Sequence, residues 1–251
     1  MSEFGPWSVR SLRLTVFPEP SAEKARRLDS GELFYQLSGE QCVTFTRNPR
    51  ESTEIAFGPI GGNGVSIELD PHRVQWKFDP LDDGTGIRPE PALLSSPAGA
   101  IDSLRITLLN FAADFPLRRI AIGALLAQHT SDNDESYGRL ANILPRLNLV
   151  PGQTSDLIYR INRPRDSKCQ EGLKLNKLAT WSAAVFRAFQ VVGDARQTGN
   201  FGMVAESYEI RLEFDVNTSG ERTESIPVEN IECIFNELMQ IATDLATNGD
   251  V

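Results

Sequence analysis

Histidine is almost missing from this chain of 251 residues, with His72 and His129 its only two. A multi-histidine metal centre is therefore excluded, and hydrolytic triads are confined to these two positions. Cysteine is nearly as scarce: Cys42, Cys169 and Cys233 lie far apart, form no paired-thiol spacing and are odd in number. They read as free thiols in a reducing compartment. The N-terminus, Met1-Ser2-Glu3-Phe4-Gly5-Pro6, has no basic start and no apolar core, so no secretory signal is expected. The longest candidate apolar run, Ile120 to Ala127, falls far short of the ~20 residues a spanning helix needs. A soluble, cytoplasmic protein without a membrane partner is the expectation. Asn217-Thr218-Ser219 matches the glycosylation pattern, which without a secretory route reads as chance.

Familiar catalytic and cofactor motifs are missing too. Gly58-Pro59-Ile60-Gly61-Gly62-Asn63-Gly64 is glycine-rich, but it lacks the Lys-Ser/Thr ending of a phosphate loop and leads into a strand rather than a helix. No Gly-x-Ser-x-Gly elbow occurs. His72 stands in a turn beside Asp70, and His129 precedes Asp132, Asp134 and Glu135. Those acids could hold a hard cation or pair with the histidine, yet they equally suit a helix N-terminus, where carboxylates are favoured. Lys168 could lower the pKa of Cys169, although an inert surface thiol is the simpler reading. No cofactor, metal or catalytic residue is assigned.

What is present is an ordinary globular composition, 40% apolar and 24% charged, with enough chain to bury a sizeable core. Leu12, Leu14 and Val16 alternate with polar neighbours, as do Val65, Ile67 and Leu69, then Val74, Trp76 and Phe78 after a turn. This period of two marks strands with one buried face, the last six residues forming a hairpin. Val43 and Phe45, then Ile55 and Phe57, suggest two further strands around the turn 47–50. The prolines and glycines from Asp79 to Pro97 predict a loop or linker.

The period then lengthens. Ile101, Leu104, Leu108, Phe111 and Phe115 predict an amphipathic helix ended by Pro116, and Tyr137, Leu140, Ile143, Leu144 and Leu147 predict another within 132–147. Strands are expected at 118–128, 157–161, 173–181, 185–192 and 207–216. A closing helix is expected from Pro227 to near Asn248-Gly249, with Ile231, Ile234, Phe235, Leu238, Ile241, Ala242 and Leu245 as its apolar stripe. The expected fold is α+β: mainly antiparallel sheet with about three amphipathic helices, the C-terminal one packed on a sheet. Residues 1–97 form a β-rich region and 98–251 an α+β region, as two subdomains or one continuous domain. No repeat of 20–50 residues is visible.

Charge is segregated along the chain. From Ala205 to Val251 eleven carboxylates face two arginines, which accounts for the entire formal charge of −9. Just before it, Arg160, Arg163, Arg165, Lys168, Lys174 and Lys177 stand against Asp166 and Glu171. This basic patch is a candidate binding surface for protein or nucleic acid, and equally for solvent alone. Glu213, Asp215, Glu229, Glu232 and Glu237 form a candidate acidic surface. Sign separation speaks to partners and encounter rates.

The segment Glu209-Ile210-Arg211-Leu212-Glu213-Phe214-Asp215-Val216-Asn217, followed by Ile226-Pro227-Val228 and the long helix, resembles the ending of a sporadically distributed, uncharacterised bacterial protein family of about this length. The resemblance implies a strand with an acidic residue before a closing helix on a sheet. Sporadic distribution is typical of mobile or defence-associated genes. The leading expectation is a non-enzymatic interaction or structural subunit of an intracellular bacterial multiprotein system, in antiphage defence, forming homo- or hetero-oligomers. Two alternatives stay open: a nucleic-acid-contacting subunit using 160–177, and a hydrolase with a carboxylate site near His129.

Overall fold

The computed structural model describes residues 4–19, 28–81, 90–192, 200–221 and 224–250. In chain order the elements are β1 (Ser8–Pro18), α1 (Ser30–Ser38), β2 (Thr44–Asn48), β3 (Thr53–Ile60), β4 (Asn63–Leu69), β5 (Val74–Pro80), α2 (Pro97–Asp114), β6 (Leu117–Thr130), α3 (Asn133–Ile143), β7 (Ile158–Asn162), β8 (Arg165–Asp166), β9 (Lys174–Val192), β10 (Asn200–Thr218) and α4 (Ile231–Asn248). All strands join one ten-stranded sheet in the order β2-β3-β4-β5-β1-β6-β10-β9-β7, with β8 also on β9. Every pairing is antiparallel.

Alternation decides which face is covered. Leu12, Leu14, Val16, Val65, Ile67, Val74, Trp76, Phe78, Ile120, Ile122, Leu126, Leu212, Phe214 and Val216 are all buried, and together they form the layer on which the helices lie. α1 packs on β3 and β4, α2 on β1, and α3 and α4 on β6, β9 and β10, while α2 also touches α4. The opposite face carries the intervening side chains, among them Arg13, Gly123, Arg211, Glu213, Asp215 and Thr180, and no helix among the described residues covers it.

The connectivity repeats. Strand, helix, four strands, helix describes residues 8–114 and again residues 117–248. In each half the first strand pairs with the last, β1 with β5 and β6 with β10, and the two halves meet where β1 pairs with β6. The inner strands β4-β5-β1 and β9-β10-β6 are thus related about that central pair, while the outer ones differ, β2 lying on β3 but β7 and β8 both lying on β9. Each half is far longer than the periods scanned in the sequence, and it carries different residues, so no repeat was visible.

The α+β class, the antiparallel sheet and the closing helix on the sheet are as expected, but the described residues form four α-helices rather than about three. The additional one, α1, is short. Asp29 caps it by accepting from the Gly31 and Glu32 amides, Gly39 ends it at φ +74°, and it buries Leu33 and Phe34. Two strands expected at 173–181 and 185–192 are one: Ser182, Ala183 and Ala184 interrupt the apolar pattern, but their backbone continues the ladder opposite Arg211, Ile210 and Glu209. Likewise β10 begins at Asn200, not Ser207. The closing helix is preceded by one 3₁₀ turn, Val228–Asn230.

The thiol reading is overturned for two cysteines. Cys169 and Cys233 form a disulfide with Cα atoms 5.8 Å apart, and only Cys42 is free among the described residues. Their distance in sequence hid their meeting, because β8 and the turn after it fold onto the first turn of α4. The inference of a reducing compartment, which leaned on free thiols, no longer follows. No helix among the described residues is long and apolar enough to cross a membrane.

Candidate functional site

Much of the charge segregated along the sequence is matched across space. Arg163 donates from Nε and Nη2 to Asp250 at 2.5 and 2.9 Å, and the Tyr159 hydroxyl donates to the same carboxylate at 2.6 Å. These donors hold Asp250 at a pKa of about 2, below the ordinary carboxylate value, and the same contact raises Tyr159. Arg165 pairs with Glu237 at 3.1 Å, while the Ser167 hydroxyl and the Lys168 amide donate to that carboxylate. The basic segment is thus docked on the acidic end of its own chain. Arg160, Lys168 and Lys174 keep exposed side chains and Lys177 is half-buried; Arg160 stands on the open sheet face opposite Thr180, and Lys174 lies in the β8–β9 pair. The six cations are not one patch.

The acidic candidates divide in the same way. Glu213 and Asp215 lie on the open sheet face, where Arg13 reaches them at 3.7 and 3.2 Å. Gly123 makes room: a Cβ there would collide with the Arg13 guanidinium. Glu232 pairs with Arg105 at 2.9 Å, Glu237 is buried against the 165–168 strap, and Glu229 is exposed in the 3₁₀ turn. Along the open face Glu209 is buried between Arg10 and Arg211, and Arg211 lies over the Phe186 ring at 4.7 Å. The open face is consequently a lattice of paired charges.

Near His129 two of the three acids, Asp132 and Glu135, have structural partners. Asp132 caps α3 by accepting from the Glu135 amide at 2.8 Å. Glu135 accepts from the Ser131 amide and from Arg139, which hold its pKa at about 2. His129 itself is exposed, with Nδ1 3.5 Å from Glu90. No cluster of three or more possible metal-binding side chains forms among the described residues. His72 lies in the β4–β5 turn, where its amide donates to Asp70. The glycine-rich segment is a two-residue hairpin, with Gly61 and Gly62 at φ +57° and +79°, left-handed values that suit glycine.

Two features were not read from the sequence. The first is an arm. Beyond Tyr208, β10 loses its β6 neighbour, and beyond Ser182, β9 loses β7, yet the two strands continue together to Asn200 opposite Val192. Val185, Phe189 and Met203 share one side of this arm and are exposed, Phe189 to 53% and Met203 to 56%. The second is a cleft of about 570 Å³ between α1 and α2, lined by Leu28, Leu33, Leu37, Trp76, Phe111 and Phe115 below and by polar side chains at the rim. A run of alternating residues through 185–192 was the available signal for the arm. Trp76 and Phe111 read only as core positions.

No family model, curated protein or solved structure matches this chain.

Proposed function

We propose that this chain is a non-enzymatic interaction subunit that engages protein through the β9–β10 arm. The observation that carries the reading is the arm itself. A two-stranded ribbon alone is marginal in water, yet this one extends past the sheet with large apolar side chains uncovered on one side and with open strand edges from Ala183 onward among the described residues. Open edges and uncovered apolar pockets are the two components of recognition by strand addition. At the opposite end of the sheet the edge strand β2 and its neighbour leave Val43, Phe45, Ile55 and Phe57 exposed, a second surface of similar character.

Arg163 and Arg165 are paired with carboxylates of the same chain, which favours protein contact over phosphate contact for this segment. Association through the arm is apolar and should therefore persist from about 50 to about 500 mM salt. The test is light scattering of the purified protein and co-purification from its native cells, for the wild type and for Phe189→Asp with Met203→Asp. The expected result is a salt-insensitive assembly that the double variant loses without a fall in melting temperature. A wild type that is monomeric and alone overturns it. So does tight, salt-sensitive oligonucleotide binding lost on Arg160→Glu with Lys174→Glu, which would establish the nucleic-acid alternative.

A further inference from the structure

Backbone geometry decides which groups the arm offers at its free edge. The Arg163 amide donates to the Lys177 carbonyl, so residue 177 turns its backbone towards β7, and the Ser219 amide donates to the Lys174 carbonyl, so residue 174 turns towards β10. Along a strand this direction alternates residue by residue. The register shift in the β9–β10 ladder adds a residue to β10, between Met203 and Ala205, and none to β9, so the alternation holds throughout the arm. Odd-numbered residues of β9 therefore face outwards. Past Ser182, where the pairing with β7 ends, Val185, Arg187 and Phe189 present amide donors and carbonyl acceptors that meet no strand among the described residues.

The side chains of the same three residues run apolar, charged, apolar on one side of the arm. Val185 is 39% exposed and Phe189 53%, with Tyr208 opposite Val185 and the exposed Met203 opposite Phe189 on β10. Between them Arg187 donates from Nε to Glu206 at 2.7 Å, and the Tyr208 hydroxyl donates to the same carboxylate, so the charge is matched within the arm. An order that reads the same in both directions about Arg187 is complementary to itself in an antiparallel pair.

We infer, resting on the arm as the contact surface, that its occupant is the arm of a second copy of this chain, β9 against β9 about a two-fold axis at Arg187. Arg187 faces Arg187 of the second copy, Val185 faces Phe189 and Phe189 faces Val185. Each pair exchanges two backbone hydrogen bonds, because both its members turn donor and acceptor outwards. Met203 and Phe189 of one copy continue into Val185 and Tyr208 of the other, which joins the exposed apolar groups in one row. The two Arg187–Glu206 pairs meet at the axis already neutralised. The β2 edge fits this role less well: Arg47 lies over the Phe45 ring at 5.6 Å and is engaged by Asp29 and Glu54. An arm-to-β2 contact is also head-to-tail, which propagates unless its rotation closes a ring, whereas a two-fold contact closes on itself.

The test uses the full-length protein. Sedimentation should show a monomer–dimer equilibrium with a Kd of about 10 μM, since one strand pair is a small interface. Arg187→Pro removes the outward amide and no bond within the arm, as proline is tolerated where a strand's N–H faces solvent, and should weaken the dimer at least about tenfold. Arg187→Gln keeps the amide and should change the Kd by no more than about threefold. In a Cys42→Ser background, Arg187→Cys should cross-link to a dimer on mild oxidation, because the axis brings the two Cα atoms to about 5.5 Å, within disulfide reach. Val185→Cys and Phe189→Cys, each about 13 Å from its own copy, should not. Should Arg187→Pro fail to fold, the cross-linking pattern decides alone. A chain that stays monomeric at about 100 μM yet recovers another protein through Phe189 and Met203 overturns the second copy and leaves the arm as the contact surface; a monomer that recovers nothing overturns both. A dimer that survives Arg187→Pro and does not cross-link at 187 overturns the proposal, as do larger assemblies that Phe45→Asp abolishes.

Discussion

The two halves of the molecule share an order of strands and helices yet are secured by different means. In the second half, a covalent link, two ion pairs and a hydroxyl hydrogen bond tie the edge of the sheet to α4 and the residues after it: Cys169 to Cys233, Arg165 and Ser167 to Glu237, and Arg163 to Asp250. In the first half no disulfide among the described residues holds α1: the Ser30 amide donates to Glu54 at 3.3 Å, Arg47 lies 3.4 Å from the capping Asp29, and Phe34 is pressed on Gly58 so closely that a Cβ there would collide with the ring. One topology thus supports a strapped region and a region with room beside its helix. The difference teaches that the same order of elements allows separate helices in one half and, in the other, helices whose ends meet at Gly249 and Ile143.

The largest test of this contrast removes the strap. Cys169→Ser with Cys233→Ser opens a link that spans 64 residues of sequence and should cost about 4 kcal/mol, or roughly 10 °C in melting temperature. Hydrogen exchange should rise in α4 and β7 and not in α1; equal loosening of both halves would break the comparison. Next, Leu238→Ala in the closed layer under α4 should cost about 3 kcal/mol and Leu33→Ala beside the cleft about 2, because the space left by Leu33 joins an existing opening. Denaturant melts at equal slope would measure both.

The helix ends sharpen the comparison further. Gly249→Ala must accommodate a Cβ against the Ile143 carbonyl at φ +66° and should cost about 2 kcal/mol, whereas Gly39→Ala, strained only by its φ of +74°, should cost about 1. Thermal melts that rank them in reverse would show that α3 and α4 do not meet at their ends. The smallest effect is one of pH. Asp250 has a folded pKa of about 2, below its ordinary 3.8, so its contribution is fully present above about pH 4 and is lost as the pH falls through about 2. Asp250→Asn should therefore melt earlier than the wild type at pH 6, with the gap closing towards pH 2. A gap independent of pH would assign the loss to packing rather than charge.

Most of the sheet was legible because one-sided burial imprints a period of two, as Val74, Trp76 and Phe78 illustrate, and α2 and α4 were legible from stripes that are indeed buried. α1 escaped because nine residues carry only Leu33, Phe34 and Leu37 as a stripe, although Asp29 before it and Gly39 after it were the available caps. The charge segregation was visible, but its meaning was not. Arg163 and Asp250 are 87 residues apart, and no local pattern states that they meet. The disulfide was hidden for the same reason. The cleft was invisible in principle, since a sequence encodes the residues that line a space and not the distance between the helices that bound it.

The Trp7 indole donates to the carbonyl of Ala246 at 2.7 Å, so the beginning of β1 lies beside the end of α4. One indole thus clasps the leading strand of the first half to the last helix of the second, so fraying at either place loosens a contact of the other half.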